Sequence, residues 1–417
     1  MTDINASPPP LPSSEAVDAL QLMIRDAAHR ANPHDAYHRL REESPRLRYD
    51  SGDWLFTRWE DCEAVLREQR FSSDPSHRVS NVPLAERSMR EQAAASGELR
   101  TLLFLDPPDH TRIRGLVSKA FTPRTVERLR PRIAQIADEI FDRAAESGQM
   151  DIVGDLGFEL PVTVICELMG VPLEDRQQFG PWANNASRLL DGDILTAEQT
   201  NAGLLSMMEF INYFNGLFAE RRSHPGDDLV SALLAAEEEG DRLSPEELIS
   251  IVVLLFIAGH ETTMNLIGNG MWALLDHPDQ LTRLRRDPTL IGTAVEEFLR
   301  FDGPVHLTGR TATVDLEING VTVPAGEGVI TLLAAANRDP LRFDDPDGLD
   351  IGRQDNRHLT FSHGIHYCLG AALARLEGQI AIGRLVERFP RIELIETPTY
   401  RDHFILRGLS SLDVTVG

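Results

Sequence analysis

Apolar positions recur along most of this chain with helical spacing, and the longest unbroken apolar run, 251–258, sits inside the longest helical pattern. That pattern opens at Ser244-Pro245-Glu246-Glu247, which supplies an N-cap, a proline at the first helical position and a glutamate able to complete a capping box. It predicts a helix to about Asp276, before Pro278; at ~1.5 Å per residue such a helix spans roughly 50 Å, so its middle must be deeply buried. Amphipathic helices are predicted over 58–68, 109–120, 124–147 and 152–169, with a pair between 173 and 223 and another from 369 to 387. Proline and glycine punctuate them. Strands are predicted in two places: 46–49 and 54–57 around Asp50-Ser51-Gly52-Asp53, and 314–318 and 321–324 around Asn319-Gly320. Asn-Gly readily supplies two positive φ angles and is a strong hairpin signal. The fold class is therefore mainly α with a smaller β part.

Length changes this picture little. The chain has 417 residues, yet no Gly/Ser linker or repeat interrupts it beyond Pro33. One large globular unit over 33–417 is expected, preceded by a flexible proline-rich leader over 1–32 that lacks the basic start and apolar run of a signal peptide. The 251–258 run falls far short of the roughly 20 apolar residues of a membrane span. Three scattered cysteines form no C-x-x-C pair, which argues against disulfides or structural zinc and for a reducing, cytoplasmic location. A formal net charge of −24 disfavours nonspecific binding to nucleic acid or anionic membranes.

Candidate chemistry concentrates at 361–370, Phe-Ser-His-Gly-Ile-His-Tyr-Cys-Leu-Gly. Cys368 lies between a glycine-bearing loop and a helix whose first free N–H groups can point at its sulfur and favour the thiolate. Nothing chemical surrounds Cys62 or Cys166, and both read as core cysteines. The pattern Phe-x-x-Gly-x-His-x-Cys-x-Gly, which includes Phe361 and Gly370, resembles the haem-binding loop of the cytochrome P450 monooxygenases. The resemblance extends over 33–417 and implies that fold, haem b as cofactor, and Cys368 as the iron ligand. An axial thiolate favours O–O cleavage. Ser362 departs from the pattern, since the family usually has glycine there; serine adopts that backbone angle less readily, so the turn can differ and the hydroxyl can bond within it.

Further motifs gain weight from this resemblance. Ala258-Gly259-His260-Glu261-Thr262-Thr263 resembles the family's oxygen-activating stretch, where small residues such as Ala258 let the backbone approach the haem and an acid-alcohol pair manages protons. Thr262 would hydrogen-bond the oxygen being reduced, and Glu261 would connect it to solvent. Taken alone, the same residues fit a threonine bonded back to its own helix and a glutamate in a buried ion pair. His260 is expected to face helix packing or solvent. Glu297 and Arg300 resemble the family's Glu-x-x-Arg element, a structural lock on the meander at 337–346. His110, Arg114, Arg310 and His366 match the family's propionate partners, with His110 and Arg114 four apart on one helix face.

The resemblance implies a monooxygenase that inserts one oxygen atom from O2 into a largely apolar molecule: a macrolide, terpene, steroid, aromatic polyketide or other secondary metabolite, or a fatty acid. Electrons would come from a ferredoxin and its NAD(P)H-dependent reductase, docking on a basic patch of Arg112, Lys119, Arg353 and Arg357 near Cys368. A monomer is expected. Segments 71–100, 186–212, 253–262, 305–308 and 404–406 would line the pocket, with His306 either a polar contact or a packed side chain. A phenol-coupling enzyme or peroxygenase keeps the same fold; a haem sensor or electron carrier is a third reading, which the distal acid-alcohol pair does not suit.

Overall fold

The central helix is the axis on which the rest is assembled. In the computed structural model, which describes residues 26–49, 52–79, 101–238 and 243–417, it runs over Pro245–Asp276. Its start is the capping box read from the sequence: the Ser244 hydroxyl accepts from the Glu247 N–H, and the Glu247 carboxylate takes the Ser244 N–H at 2.8 Å. By length and composition the helix is apolar enough to cross a membrane, yet 72% of that window is buried within the protein. Helices Glu159–Met169, Arg176–Arg188, Ala197–Ser223, Ile291–Asp302 and Ala371–Arg388 all pack on it, so apolar residues are needed around its whole circumference.

Two predicted helices are divided. The 124–147 pattern forms Pro123–Glu127 and Arg130–Ser147, because Pro131 suits the first turn of a new helix rather than the interior of an old one. In the 152–169 pattern, Ile152–Phe158 is wound as a π-helix before Glu159–Met169 continues as α. The last helix starts at Ala371, with Gly370 as N-cap, rather than at Leu369.

The β part is larger than two hairpins. A five-stranded sheet has the order β1-β2-β8-β5-β3, formed by β1 (Arg46–Arg48), β2 (Trp54–Phe56), β3 (Phe71–Ser72), β5 (Thr308–Ala312) and β8 (Gly328–Thr331). Among the described residues, only β2 and β8 pair in parallel. A second sheet, β4-β10-β9, joins β4 (Gln149–Asp151), β9 (Ile392–Leu394) and β10 (Asp413–Val416). Such short strands, paired across long sequence separations, leave no local periodicity to read. The Asn-Gly hairpin joins β6 (Leu316–Ile318) to β7 (Val321–Val323), with φ of 46° at Asn319 and 87° at Gly320.

Most of the expected leader, 1–32, is not described. Residues 1–25 lie outside the described ones, but Ala27–Ala31 forms a helical turn capped by Asp26. It is tied down where the Arg30 Nε donates to Asp402 at 2.7 Å and Arg407 donates to the Ala31 carbonyl at 3.0 Å.

Candidate active site

The loop that carries Cys368 is closed by its own backbone. The Ser362 N–H donates to the Leu359 carbonyl at 2.7 Å, and the Cys368 N–H donates to the Phe361 carbonyl at 2.9 Å. Ser362 takes a φ of 62°, the left-handed conformation that glycine adopts more easily. Its hydroxyl has no protein partner, contrary to the expectation that it bonds within the turn. At Gly364 a side chain is excluded, because a Cβ would lie 2.5 Å from the Leu66 carbonyl oxygen. Arg375, about one turn into the following helix, places its guanidinium 4.5 Å from the Phe361 ring centre and donates to the Tyr367 hydroxyl at 3.0 Å.

Cys368 is exposed, unlike buried Cys62 and Cys166. Burial pushes its thiol above the ordinary range, while the N–H groups of Gly370 and Ala371 and the charges of Arg114 and Arg375 pull the other way. The helix start therefore favours the thiolate as expected, but does not by itself outweigh desolvation; a cation at the sulfur would.

Four basic side chains from three segments converge near this loop. The His110 and His366 rings lie 4.4 Å apart, and the Nε2 atoms of both are buried without a partner. Arg114 donates to the Tyr367 carbonyl. Arg310 is 8% exposed and donates to Thr308 and to the Gly309 carbonyl, with no carboxylate in contact among the described residues. Burial pushes Arg310 down to about 10, and only Asp106 opposes that. His366 is driven down to about 3, by burial first and then by Arg310, His110 and Arg114. Such a cluster is stable only with an anion among its members.

In the middle of the otherwise buried central helix, Ala258 is exposed. Thr262, one turn on, donates its hydroxyl to the Ala258 carbonyl at 2.7 Å. Glu261 is 1% exposed and forms an ion pair with Arg401 at 2.6 Å, although neither carboxylate oxygen lines up as a hydrogen-bond acceptor. His260 is buried against Phe158, ring centres 5.0 Å apart and perpendicular; it faces packing rather than bulk solvent.

Glu297 and Arg300 are fully buried and paired by two bonds of 2.7 and 2.8 Å. Arg300 also donates to the carbonyls of Asn337, Pro346 and Gly348. Glu297 accepts in addition from Arg353, Asn356 and the Asp350 N–H. One ion pair thus ties 337–356 to the helix below it.

The family model described as Cytochrome P450 matches residues 77–404. The chain belongs to the cytochrome P450 family. It is 45% identical over 404 residues to Cytochrome P450 107B1 of Saccharopolyspora erythraea, covering 95% of this chain and 98% of that one. It is also 45% identical to the Vitamin D(3) 25-hydroxylase of Pseudonocardia autotrophica, over 93% of this chain and 94% of the relative. The crystal structure of ligand-free CYP164A2 from Mycobacterium smegmatis matches it with a TM-score of 0.87 at 40% identity, over 96% of this chain and all of that one. The P450 fold and a monooxygenase activity follow, and P450s of this family carry haem.

The residues present fit that cofactor. Exposed Cys368 suits an iron ligand, exposed Ala258 in a buried helix leaves room for a flat macrocycle, and the basic cluster offers two arginines and two unpartnered histidine nitrogens to a pair of carboxylates. The expected basic docking patch is not assembled as read from the sequence. Arg353 is committed to Glu297 and to the Asp344 and Asp345 carbonyls, and Arg112 is paired with Glu247 at 2.5 Å. Arg357 and Lys119 remain exposed. Among the pocket segments, 80–100 lies outside the described residues. His306 is packed, its Nδ1 2.8 Å from the Tyr37 hydroxyl. Sequence reasoning missed Arg375, for which the i+7 spacing from Cys368 was a usable signal, and Arg401, for which there was none.

Proposed function

We propose that this P450 is a haem b-thiolate monooxygenase with Cys368 as the axial ligand and a largely apolar organic molecule as substrate. The overall change is R–H + O2 + 2 e⁻ + 2 H⁺ → R–OH + H2O. Bound haem supplies the oxygen chemistry. The carrying observation is exposed Cys368 on a loop beside four basic groups, of which His110 and His366 each keep an unpartnered ring nitrogen.

The chain's own residues then have separate tasks. His110, Arg114, Arg310 and His366 hold the propionates, which neutralises their mutual repulsion and fixes the plane of the ring. Ala258, small and exposed in the central helix, would leave room for the ring beside it. Thr262 has a hydroxyl that can turn from the Ala258 carbonyl to donate toward oxygen, and Glu261 resupplies the proton from the opposite flank. Glu297 and Arg300 hold the meander under the ligand loop. The acid-alcohol pair favours O2-driven over peroxide-driven chemistry, because only the former must import protons. Electrons are assigned to a ferredoxin and its NAD(P)H-dependent reductase. Relatives named for vitamin D3 hydroxylation and for polyketide biosynthesis support steroid-like and polyketide substrates among those considered.

Turnover under ¹⁸O2 with a ferredoxin, its reductase and a panel of sterols, macrolactones and fatty acids tests this reading. One ¹⁸O per product molecule, with NADPH consumed, is the expected result. Product formed without label, or from peroxide as efficiently as from NADPH, would replace it.

A further inference from the structure

A cleft of about 610 Å³ opens on the flank of the central helix that carries His260 and Glu261, bounded by Phe158, Gly180 and Asn184. Ala258 and Thr262 do not line it. Three of its lining residues carry buried polar atoms without hydrogen-bond partners: both His260 nitrogens, both Glu261 oxygens and the Arg401 Nε. Water entering the cleft would satisfy them. Glu261 thus lies buried at the wall of this cleft, while its neighbour Thr262 does not line it.

What fixes Glu261 there is a single side chain from far along the chain. The Arg401 guanidinium pairs with Glu261 at 2.6 Å, donates to the Asn265 side-chain oxygen, and reaches the Asn184 oxygen at 3.2 Å. It therefore joins the central helix to the helix Arg176–Arg188. Arg401 sits in the stem of a hairpin over 400–409, closed by the Tyr400–Leu409 bridge and by the Arg401 N–H donating to the Gly408 carbonyl at 2.9 Å. Gly408 is required for this arrangement, since a Cβ there would lie 1.9 Å from the Asn265 oxygen and 3.0 Å from the Arg401 Nη2.

The tip of the same hairpin touches elements around the expected substrate pocket. Arg188 donates to the Asp402 carbonyl, and the Phe404 and Ile405 N–H groups donate to Asp191 at 3.1 and 2.9 Å. Leu406 bridges to Val305, and the His306 N–H donates to the Ile405 carbonyl.

We propose that Arg401 is the positioning residue for Glu261: it holds the carboxylate at the floor of the water-accessible cleft, and the 400–409 hairpin ties that position to what occupies the pocket. The assignment rests on Glu261 supplying protons to Thr262. The transfer itself is a proton passed from cleft water to the carboxylate and onward to the threonine hydroxyl, with no net redox change. Arg401 touches neither substrate nor cofactor, and acts through Glu261.

A double-mutant cycle separates this from a structural role. In the haem-loaded protein, O2 consumption driven by NADPH, a plant-type ferredoxin and its reductase is measured in H2O and D2O for Glu261→Gln, Arg401→Gln, Arg401→Lys and the double variant. Each of the first two should slow it about tenfold with a larger solvent isotope effect. The double variant should be no slower than Glu261→Gln, and Arg401→Lys should stay within about threefold of wild type. Gly408→Ala, which displaces Arg401 without removing its charge, should resemble Arg401→Gln. If Glu261→Gln keeps the wild-type rate and isotope effect, the proton-supply reading falls and takes this one with it. If Glu261→Gln is slow but the two substitutions multiply, only the role of Arg401 is overturned. Amide exchange with and without econazole reads the coupling independently of turnover. Ligand should change exchange in both 399–410 and 263–268, the turn beyond the expected pocket lining, in the wild type, but only in 399–410 in Arg401→Gln; an unchanged response of 263–268 in that variant contradicts the proposal.

Discussion

Replacing Arg300 by alanine tests how much of the structure beneath the ligand loop hangs on one ion pair. The wild-type guanidinium bonds Glu297 twice and three carbonyls of the 337–348 stretch. Its removal orphans those carbonyls, but leaves Glu297 with Arg353, Asn356 and the Asp350 N–H. Glu297→Ala is the harsher change, because it leaves Arg300 and Arg353 buried near one another without their shared anion. Breaking a buried pair costs about 3–5 kcal/mol, with Arg300→Ala toward the lower end and Glu297→Ala toward the upper. For a chain of this length the unfolding entropy is about 0.9 kcal/mol/K, so melting temperatures should fall by roughly 3–6 °C. Differential scanning fluorimetry of the haem-loaded proteins reads the shift, and haem content per chain reads the consequence for the loop. A loss under about 1 °C in both variants, or a larger loss for Arg300→Ala than for Glu297→Ala, would refute the reasoning.

Other consequences follow from single side chains. Thr262→Ala should retain haem and ligand binding but release peroxide in place of product; equal coupling of NADPH to product in mutant and wild type removes Thr262 from the mechanism. Arg310→Met should stabilise the haem-free protein, since it removes a buried cation without a carboxylate, while speeding haem transfer to apomyoglobin about tenfold; parallel changes in both would contradict the propionate assignment. Glu377 is buried with one oxygen unpartnered, and burial pushes its carboxyl up to about 8 despite a bond from Thr263. Its folded value lies above the unfolded one, so stability present at about pH 4 is lost as pH rises toward 8. Glu377→Gln should therefore gain on the wild type across that window by up to about 3–5 kcal/mol, measured by urea unfolding; a difference constant with pH rules out the buried neutral acid.

What the sequence disclosed was local chemistry. The Ser244 capping box, the Asn319-Gly320 turn and the φ-positive position at Ser362 are each decided within four residues, and each was readable. The π-helical winding of Ile152–Phe158 and the parallel pairing of β2 with β8 depend on partners far away in the chain, so no periodicity encodes them. The same division holds at the site. The Cys368 loop and the Glu261-Thr262 pair stand out as motifs, whereas Arg401, which sets where Glu261 lies, is 140 residues from it. Arg353 shows the converse failure. An arginine near the ligand loop reads as surface charge until its buried partner Glu297 is seen.

The account depends most on the identity of the iron ligand. Reduced, carbon monoxide-bound spectra of the wild type and of Cys368→Ala, each loaded with haem to known stoichiometry, test it directly. The wild type should show the red-shifted Soret band of thiolate-ligated haem, and the variant should lose it while keeping bound haem through His110, Arg114, Arg310 and His366. A variant that retains the red-shifted band intact would contradict thiolate ligation by Cys368.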